Sequence, residues 1–472
     1  MKKVLYIFLL LAGSIAAEAQ EFRILKGGVT DSLPVAGNPE ITYSLFTPSE
    51  YSSEKQWPVI FIFDPAGRGK SSVNLFRAAA EDQDYILASI NLDLESKPLD
   101  SIIKTATAMA NTIISTFPVD RSRIYTAGMG EGAQIGSALP LLFKNIGGIM
   151  AIGNSFVNPS HVNKENPYMF IGIAGIRDYM VYEMESYLKF YDNLDFPTEV
   201  YYFNGKENQW PESSVITNAV AGFTLQSIRD GSIPKDVKLI EKLFQNELAY
   251  VQEMRKSNQL YSSVEHLKRM EEKYEDFGFE DEIERTIKAV KKTDGYNSQR
   301  RDFKRAIAVE KEQQAEYEYL LRADIMTSNF QNIGWWAYQV DELKKLKESD
   351  NEARVNMAFR LHGYLDFITK REFDLIQKSD LPVDNKIFIS VLRTAVNQED
   401  PEAYLKIISL SAKDGDYPTA LLYLEDLLKT GYKDFEKLYD IPGALDLQFS
   451  EEYNEVVKKY LGKSKFYNEQ PK

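Results

Sequence analysis

Acyl transfer at neutral pH needs a nucleophile, a base to take its proton and a group that fixes the base's tautomer. Few residues in this sequence can fill those roles. There is no cysteine, and the only histidines are His161, His266 and His362. Only His161 stands among the strand-rich first 230 residues, six positions after Ser155 in Gly153-Asn154-Ser155-Phe156 and ahead of Asp178. A Ser155–His161–Asp178 set is one reading. An ordinary loop serine beside a surface histidine is the other, and the crowding of Ser and His into one loop favours it. Glu131 is a further candidate, because a carboxylate can attack directly. It lies in Gly128-Met129-Gly130-Glu131-Gly132, and its neighbour Gly130 has no side chain to attack with.

These residues are carried by strands and helices that alternate. Val59 to Phe63 is an unbroken apolar run, the mark of a central parallel strand covered on both faces. Further strands are expected at 85–90, 124–127, 148–152, 169–173 and 199–203, with helices at 73–80, 99–116, 181–191 and 213–228 between them. Phe22–Leu25 and Ile41–Phe46 alternate apolar and polar, as half-buried antiparallel strands do, and are expected to open the sheet. The order predicts an α/β, doubly wound, mostly parallel sheet.

At Asp230-Gly231-Ser232-Ile233-Pro234 the pattern breaks, and beyond it apolar residues recur at helical spacing among many Lys and Glu. An all-α region is therefore expected, with a helical domain over 236–398 and a repeat-like part over 399–465. In the latter, Ala403–Ile408, Ser411–Tyr417 and Ala420–Leu428 form a helix pair turning at Gly415-Asp416, with Ala412 and Ala420 at the crossing. This resembles a tetratricopeptide unit, which needs stacked neighbours to bury its face. A helical bundle is the alternative. Trp335-Trp336, Tyr338, Tyr317 and Tyr319 are expected to pack between helices in preference to lining a groove.

Strand, glycine-crowded turn and helix at Ser122–Ala138 resemble the nucleophile elbow of the α/β-hydrolases, whose G-x-S-x-G motif lifts a serine onto a strained bend. The resemblance covers about residues 22 to 229 and is to the secreted esterase and prolyl-oligopeptidase-like branch, with Asp64-Pro65 where such enzymes often carry His-Gly. It implies a nucleophile at Gly130, an acid after a late strand at Asp178, and a histidine just ahead of a Trp-Pro pair. In Gly205-Lys206-Glu207-Asn208-Gln209-Trp210-Pro211 that place is held by Asn208, an amide that does not titrate near neutrality. The same resemblance makes the loop from Asp64 to Ser71 a remnant of the oxyanion loop, with Ala66, Gly67 and Glu131 as donor positions. That loop also comes close to a phosphate-binding G-x-x-x-x-G-K-[ST] pattern, but Asp64 stands where its first glycine is required and would repel phosphate. Two of three catalytic roles are thus empty, which predicts a pseudo-hydrolase. The alternative is a working ester or peptide hydrolase with a non-standard catalytic set.

Composition narrows the setting. A net charge of −14 argues against a nucleic-acid partner. Lys2 and Lys3, the apolar run Val4–Ala12 and Ala17-Glu18-Ala19 read as a signal peptide over 1–19, predicting export to the periplasm or beyond, with no membrane span after its removal. No metal-ligand spacing occurs and no cofactor is implied. The expected partners are a protein on the repeat-like helices and a small-molecule, peptide or glycan ligand in the pocket of the sheet domain.

Overall fold

The computed structural model describes residues 24–94, 97–158, 160–162 and 164–467, so the segment read as a signal peptide lies outside the described residues. Contacts divide the chain into two compact units. The first holds residues up to Ala174 together with Glu183–Phe203 and Asn208–Tyr250.

Its strands are β1 (Gly28–Val35), β2 (Asn38–Thr47), β3 (Trp57–Phe63), β4 (Ile86–Ile90), β5 (Val119–Met129), β6 (Ile146–Ile152), β7 (Met169–Gly175) and β8 (Thr198–Phe203). They form one sheet in the order β1-β2-β4-β3-β5-β6-β7-β8. β1 and β2 pair antiparallel, β2 meets β4 antiparallel, and β4, β3, β5, β6 and β7 run parallel. Between them come α1 (Gly69–Gln83), α2 (Leu99–Thr116), α3 (Glu131–Leu142), α4 (Val181–Asp192) and α5 (Ser213–Arg229). Every residue of β3 and of β7 is buried, as unbroken apolar runs require.

The opening strand is not where alternation put it. Phe22 lies outside the described residues, Leu25 is half exposed, and the chain first pairs at Gly28–Val35. The turn decides this: with Val35 opposite Asn38, a tight hairpin fixes the register of β1 on β2.

Helix and sheet meet most closely at the bend after β5. A Cβ on Gly128 would lie 2.3 Å from the backbone of Gly132, and one on Gly132 would lie 2.1 Å from the carbonyl oxygen of Phe63 in β3. Only hydrogen fits at either position, so α3 starts directly against the two central strands. Below it, Tyr125 stacks on Phe223 at 4.3 Å and its hydroxyl lies 2.8 Å from Ser227 Oγ, which ties β5 to α5.

The second unit comprises Gly175–Tyr182, Asn204–Glu207 and Val251–Lys472. Two short stretches after β7 and β8 are therefore grouped with the helices. α6 (Val237–Lys256) spans the division, and the Lys242 ammonium lies 3.3 Å from Asp82 on α1 in its first half. The helices that follow are α7 (Leu260–Lys273), α8 (Glu280–Lys291), α9 (Tyr296–Thr327), α10 (Ile333–Leu346), α11 (Glu352–Lys378) and α12 (Val383–Val396). Trp336 is fully buried among Leu361, Leu365 and Phe388 and donates its indole N–H to Asp324 at 2.8 Å. Trp335 meets its edge at 4.8 Å and Tyr317 is buried beside both, while Tyr319 and Tyr338 are exposed.

A fully buried Glu310 grips Arg360 through two hydrogen bonds of 2.8 and 2.6 Å, and Arg360 also donates to the carbonyl of Ile176 at 2.5 Å. Further on, α13 (Pro401–Lys413) and α14 (Tyr417–Lys429) form a helix pair. Asp416 caps α14 by accepting from Thr419 N, and Ala420 is fully buried. α15 (Phe435–Leu438), α16 (Leu445–Gln448) and α17 (Glu451–Leu461) complete the unit around Tyr453.

Two stability effects are expected. Gly132→Ala forces its methyl against the Phe63 carbonyl and lowers the unfolding free energy by roughly 1–3 kcal/mol, as overpacking does. Glu310→Gln leaves the Arg360 charge buried without its counter-charge and costs about 3–5 kcal/mol. Denaturant unfolding of both variants beside the parent checks each value, and an unchanged midpoint contradicts the corresponding contact.

Candidate functional site

Gly130 occupies the apex between β5 and α3 with φ +54° and ψ −121°, a conformation that costs an L-residue about 1–3 kcal/mol and clusters at functional sites. Its N–H donates to the Ile152 carbonyl at 3.0 Å, which pins the bend to the end of β6. Unlike its flanking glycines, Gly130 is not crowded. A Cβ built on it meets one atom within 4 Å, the Asn208 Oδ1 at 3.1 Å. The structure thus places the amide of Asn208 opposite the apex, in the direction a nucleophile's side chain would take. Asn208 itself sits at φ +53°, in the left-handed region that asparagine tolerates better than most residues.

Facing this bend chemically is the loop after β3. Asp64 is 1% exposed, and its carboxylate accepts from the backbone N–H of Ala66 at 3.0 Å and of Arg68 at 3.3 Å. The Gly67 N–H donates to the Asp64 carbonyl at 3.0 Å. Arg68 then forks onto the same carboxylate at 3.1 and 3.0 Å, and the Trp210 indole N–H reaches its Oδ2 at 2.8 Å. Burial pushes this carboxyl up, but the donors of Arg68 and Trp210 outweigh it and hold the group below the ordinary aspartate value. The loop is fixed in turn by Leu94 N donating to the Pro65 carbonyl at 2.8 Å and by a bridge between Ala66 and Asp93. Three successive amides that could face an oxyanion are thus turned back onto Asp64. The sequence marks Asp64 as the residue in the place of a His-Gly and as a misfit in a phosphate loop, but not as a buried hub, because its partner Trp210 is 146 positions away.

Ser155 is buried, donating its hydroxyl to Ser137 Oγ at 3.0 Å, and Ser137 passes its own proton to the Ala133 carbonyl at 2.6 Å. That chain ends on a backbone carbonyl, which cannot act as a base. His161 is exposed in a turn where its backbone N–H donates to Asn158. Glu131 is the exposed first residue of α3. Asp178 is 3% exposed and belongs to the helical unit. Burial raises its pKa to about 6 against the opposing Met180 amide, which donates to Oδ1 at 2.8 Å. His266 is buried on α7 and His362 lies on α11. Among the described residues no group of three or more His, Asp and Glu side chains could hold a metal ion, and no helix is long and apolar enough to cross a membrane.

Comparison with known proteins is structural only: no protein-family model and no curated protein matches this chain. Among solved structures it is similar to an esterase from Pyrobaculum calidifontis, at 13% identity over 48% of this chain and 91% of that one, TM-score 0.35. It is similar also to Est1E from Butyrivibrio proteoclasticus, at 11% identity over 40% and 95%, TM-score 0.33. A third is the S-formylglutathione hydrolase of Staphylococcus aureus, at 9% identity over 43% and 99%, TM-score 0.32. At such identities and TM-scores the likeness carries no further argument. The strand order makes the N-terminal domain an eight-stranded, mostly parallel sheet with helices between its strands, and a large helical region follows it.

Proposed function

We propose that this is an exported pseudo-hydrolase, a protein that keeps the α/β-hydrolase body for binding and does no acyl transfer. The observation that carries this reading is the pairing at the apex: a glycine where the hydroxyl belongs, faced by the amide of Asn208. An amide neither accepts the nucleophile's proton nor returns it to a leaving group. Loss of a triad's nucleophile or base costs on the order of a millionfold in kcat. The internal bonding of the Asp64 loop removes a further source of transition-state stabilisation, because its amides already have acceptors. The positive φ at the apex favours glycine by itself, and a Cβ built there meets one atom, the Asn208 Oδ1 at 3.1 Å.

In this reading the sheet domain binds a small molecule, peptide or glycan, and the repeat-like helices bind a protein. Exposed Leu422, Leu445 and Phe449 on and beside α14 and α16 give those helices apolar contact surface. Export rests on the N-terminal charge, apolar run and A-x-A pattern.

The purified protein is expected to leave a panel of activated esters unhydrolysed above background and to resist a fluorophosphonate serine probe. Covalent labelling that disappears in Ser155→Ala would overturn the reading and establish a working hydrolase. Gly130→Ser is expected to fold, at a cost of about 1–3 kcal/mol for its backbone. It should gain no substantial esterase turnover, because no general base faces the new hydroxyl. A large gain from that single change contradicts the position assigned to Asn208.

A further inference from the structure

Lysines on the helices commonly pair within their own helix. Lys256 pairs with Glu253, Lys288 with Glu284 and Lys345 with Glu342, each three or four residues away. The start of α9 departs from this. Arg300, Arg301, Lys304 and Arg305 are all exposed, and among the described residues none of them forms an ion pair. Instead they neighbour one another: Arg300 stands four residues before Lys304, and Arg301 stands three before Lys304 and four before Arg305. Like charges at those spacings destabilise a helix. The first turn of α9 has neither an acidic residue nor a side-chain cap to offset them.

The carboxylates around them are engaged elsewhere. On α9 itself Asp302 accepts from Asn351, buried Glu310 holds Arg360, Glu318 accepts from Tyr364 and buried Asp324 accepts from Trp336. On α7, whose Tyr261 stacks on Phe303, Glu265 pairs with Lys268. Glu312 and Glu316 are exposed, but they begin seven residues beyond Arg305. That is about 10 Å along the axis, roughly one screening length at 0.1 M salt.

A second feature of the same helix points the same way. A line taken from Arg301 in alternate steps of four and three residues passes Arg305 and reaches Tyr319, Arg322 and Met326, with Ala308, Glu312 and Ala315 between. It keeps to one side of α9 for about 38 Å. Every residue on it is exposed. Tyr319 is 74% exposed and Met326 78%, the two highest values among the large hydrophobic side chains of the described residues.

We propose that this side of α9 docks on an anionic lipid surface, with Arg300, Arg301, Lys304 and Arg305 against the headgroups and Tyr319 and Met326 entering the interface beside Arg322. Cations together with aromatic and apolar side chains on one exposed helix face are what interfacial binding uses. A soluble polyanion would answer the cations and leave Tyr319 and Met326 in water, whereas a bilayer interface takes both. The proposal stands apart from whether the sheet domain catalyses.

Flotation of the purified full chain with phosphatidylcholine vesicles, with and without one-third phosphatidylglycerol, tests it. Binding to the anionic vesicles is expected to exceed binding to the neutral ones by at least about tenfold and to fall with added sodium chloride. Arg301→Gln, Lys304→Gln and Arg305→Gln combined should weaken it on the order of a hundredfold, at roughly fivefold per cation. The thermal midpoint of that variant should hold or rise, because the like-charge pairs are gone. Tyr319→Ser with Met326→Ser leaves the charge unaltered and should weaken vesicle binding about tenfold. Absence of binding, equal binding to neutral vesicles, or unaltered binding in either variant would each overturn the proposal. Retention on immobilised polyglutamate as tight as on the anionic vesicles would overturn it too, assigning the cations to an acidic polymer.

Discussion

The contact on which this fold turns is an approach too close for any side chain. The first turn of α3 lies against β5 and β3 at a separation where Gly128 and Gly132 admit only hydrogen. Because β3 is buried throughout and β5 is buried from Ile124 to Met129, the helix cannot back away without opening the core. The chain leaving β5 must therefore bend sharply, and the residue at the apex takes a positive φ whatever its identity. This separates two requirements that a glycine-rich motif runs together. The flanking glycines serve packing, and the apex serves whatever chemistry is placed on it. In this protein the packing requirement is met in full while the apex carries no functional group.

The loop after β3 is organised by one buried charge. A carboxylate buried to 1% exposure needs donors. Asp64 finds them in two amides of its own loop, the Arg68 fork and the Trp210 indole. Those bonds tie the amides of Ala66 and Arg68 and two side chains from either side of the loop to a single acceptor group. Trp210 stands two residues after Asn208, so the same hydrogen bond also anchors the segment that presents an amide to the apex. The loop and the segment opposite the bend are thus held by one acid.

What the sequence made legible follows from how local each signal is. Unbroken apolar runs marked β3 and β7, and the spacing of glycines marked the bend, since each depends on a few adjacent residues. Alternation over Phe22–Leu25 misled because a short amphipathic run says nothing about pairing, and it was the turn after Val35 that fixed where β1 lies. The place of Asn208 could be inferred from the neighbouring Trp-Pro, but its approach to Gly130 could not. Neither could the role of Asp64, whose meaning depends on an indole 146 residues away.

Electrostatics sets the two units apart more sharply than their secondary structure does. In the sheet unit the buried charge is self-contained: Asp64 has its guanidinium and its indole. The helical unit repeats that economy at Glu310 and Arg360, where bidentate geometry and the Ile176 carbonyl satisfy nearly every donor. One turn away on the same helix the pattern fails, with the buried Nδ2 of Asn356 lacking an acceptor beside Arg177. Two sites so near in sequence and so different in satisfaction are not explained by a general tolerance of poor packing.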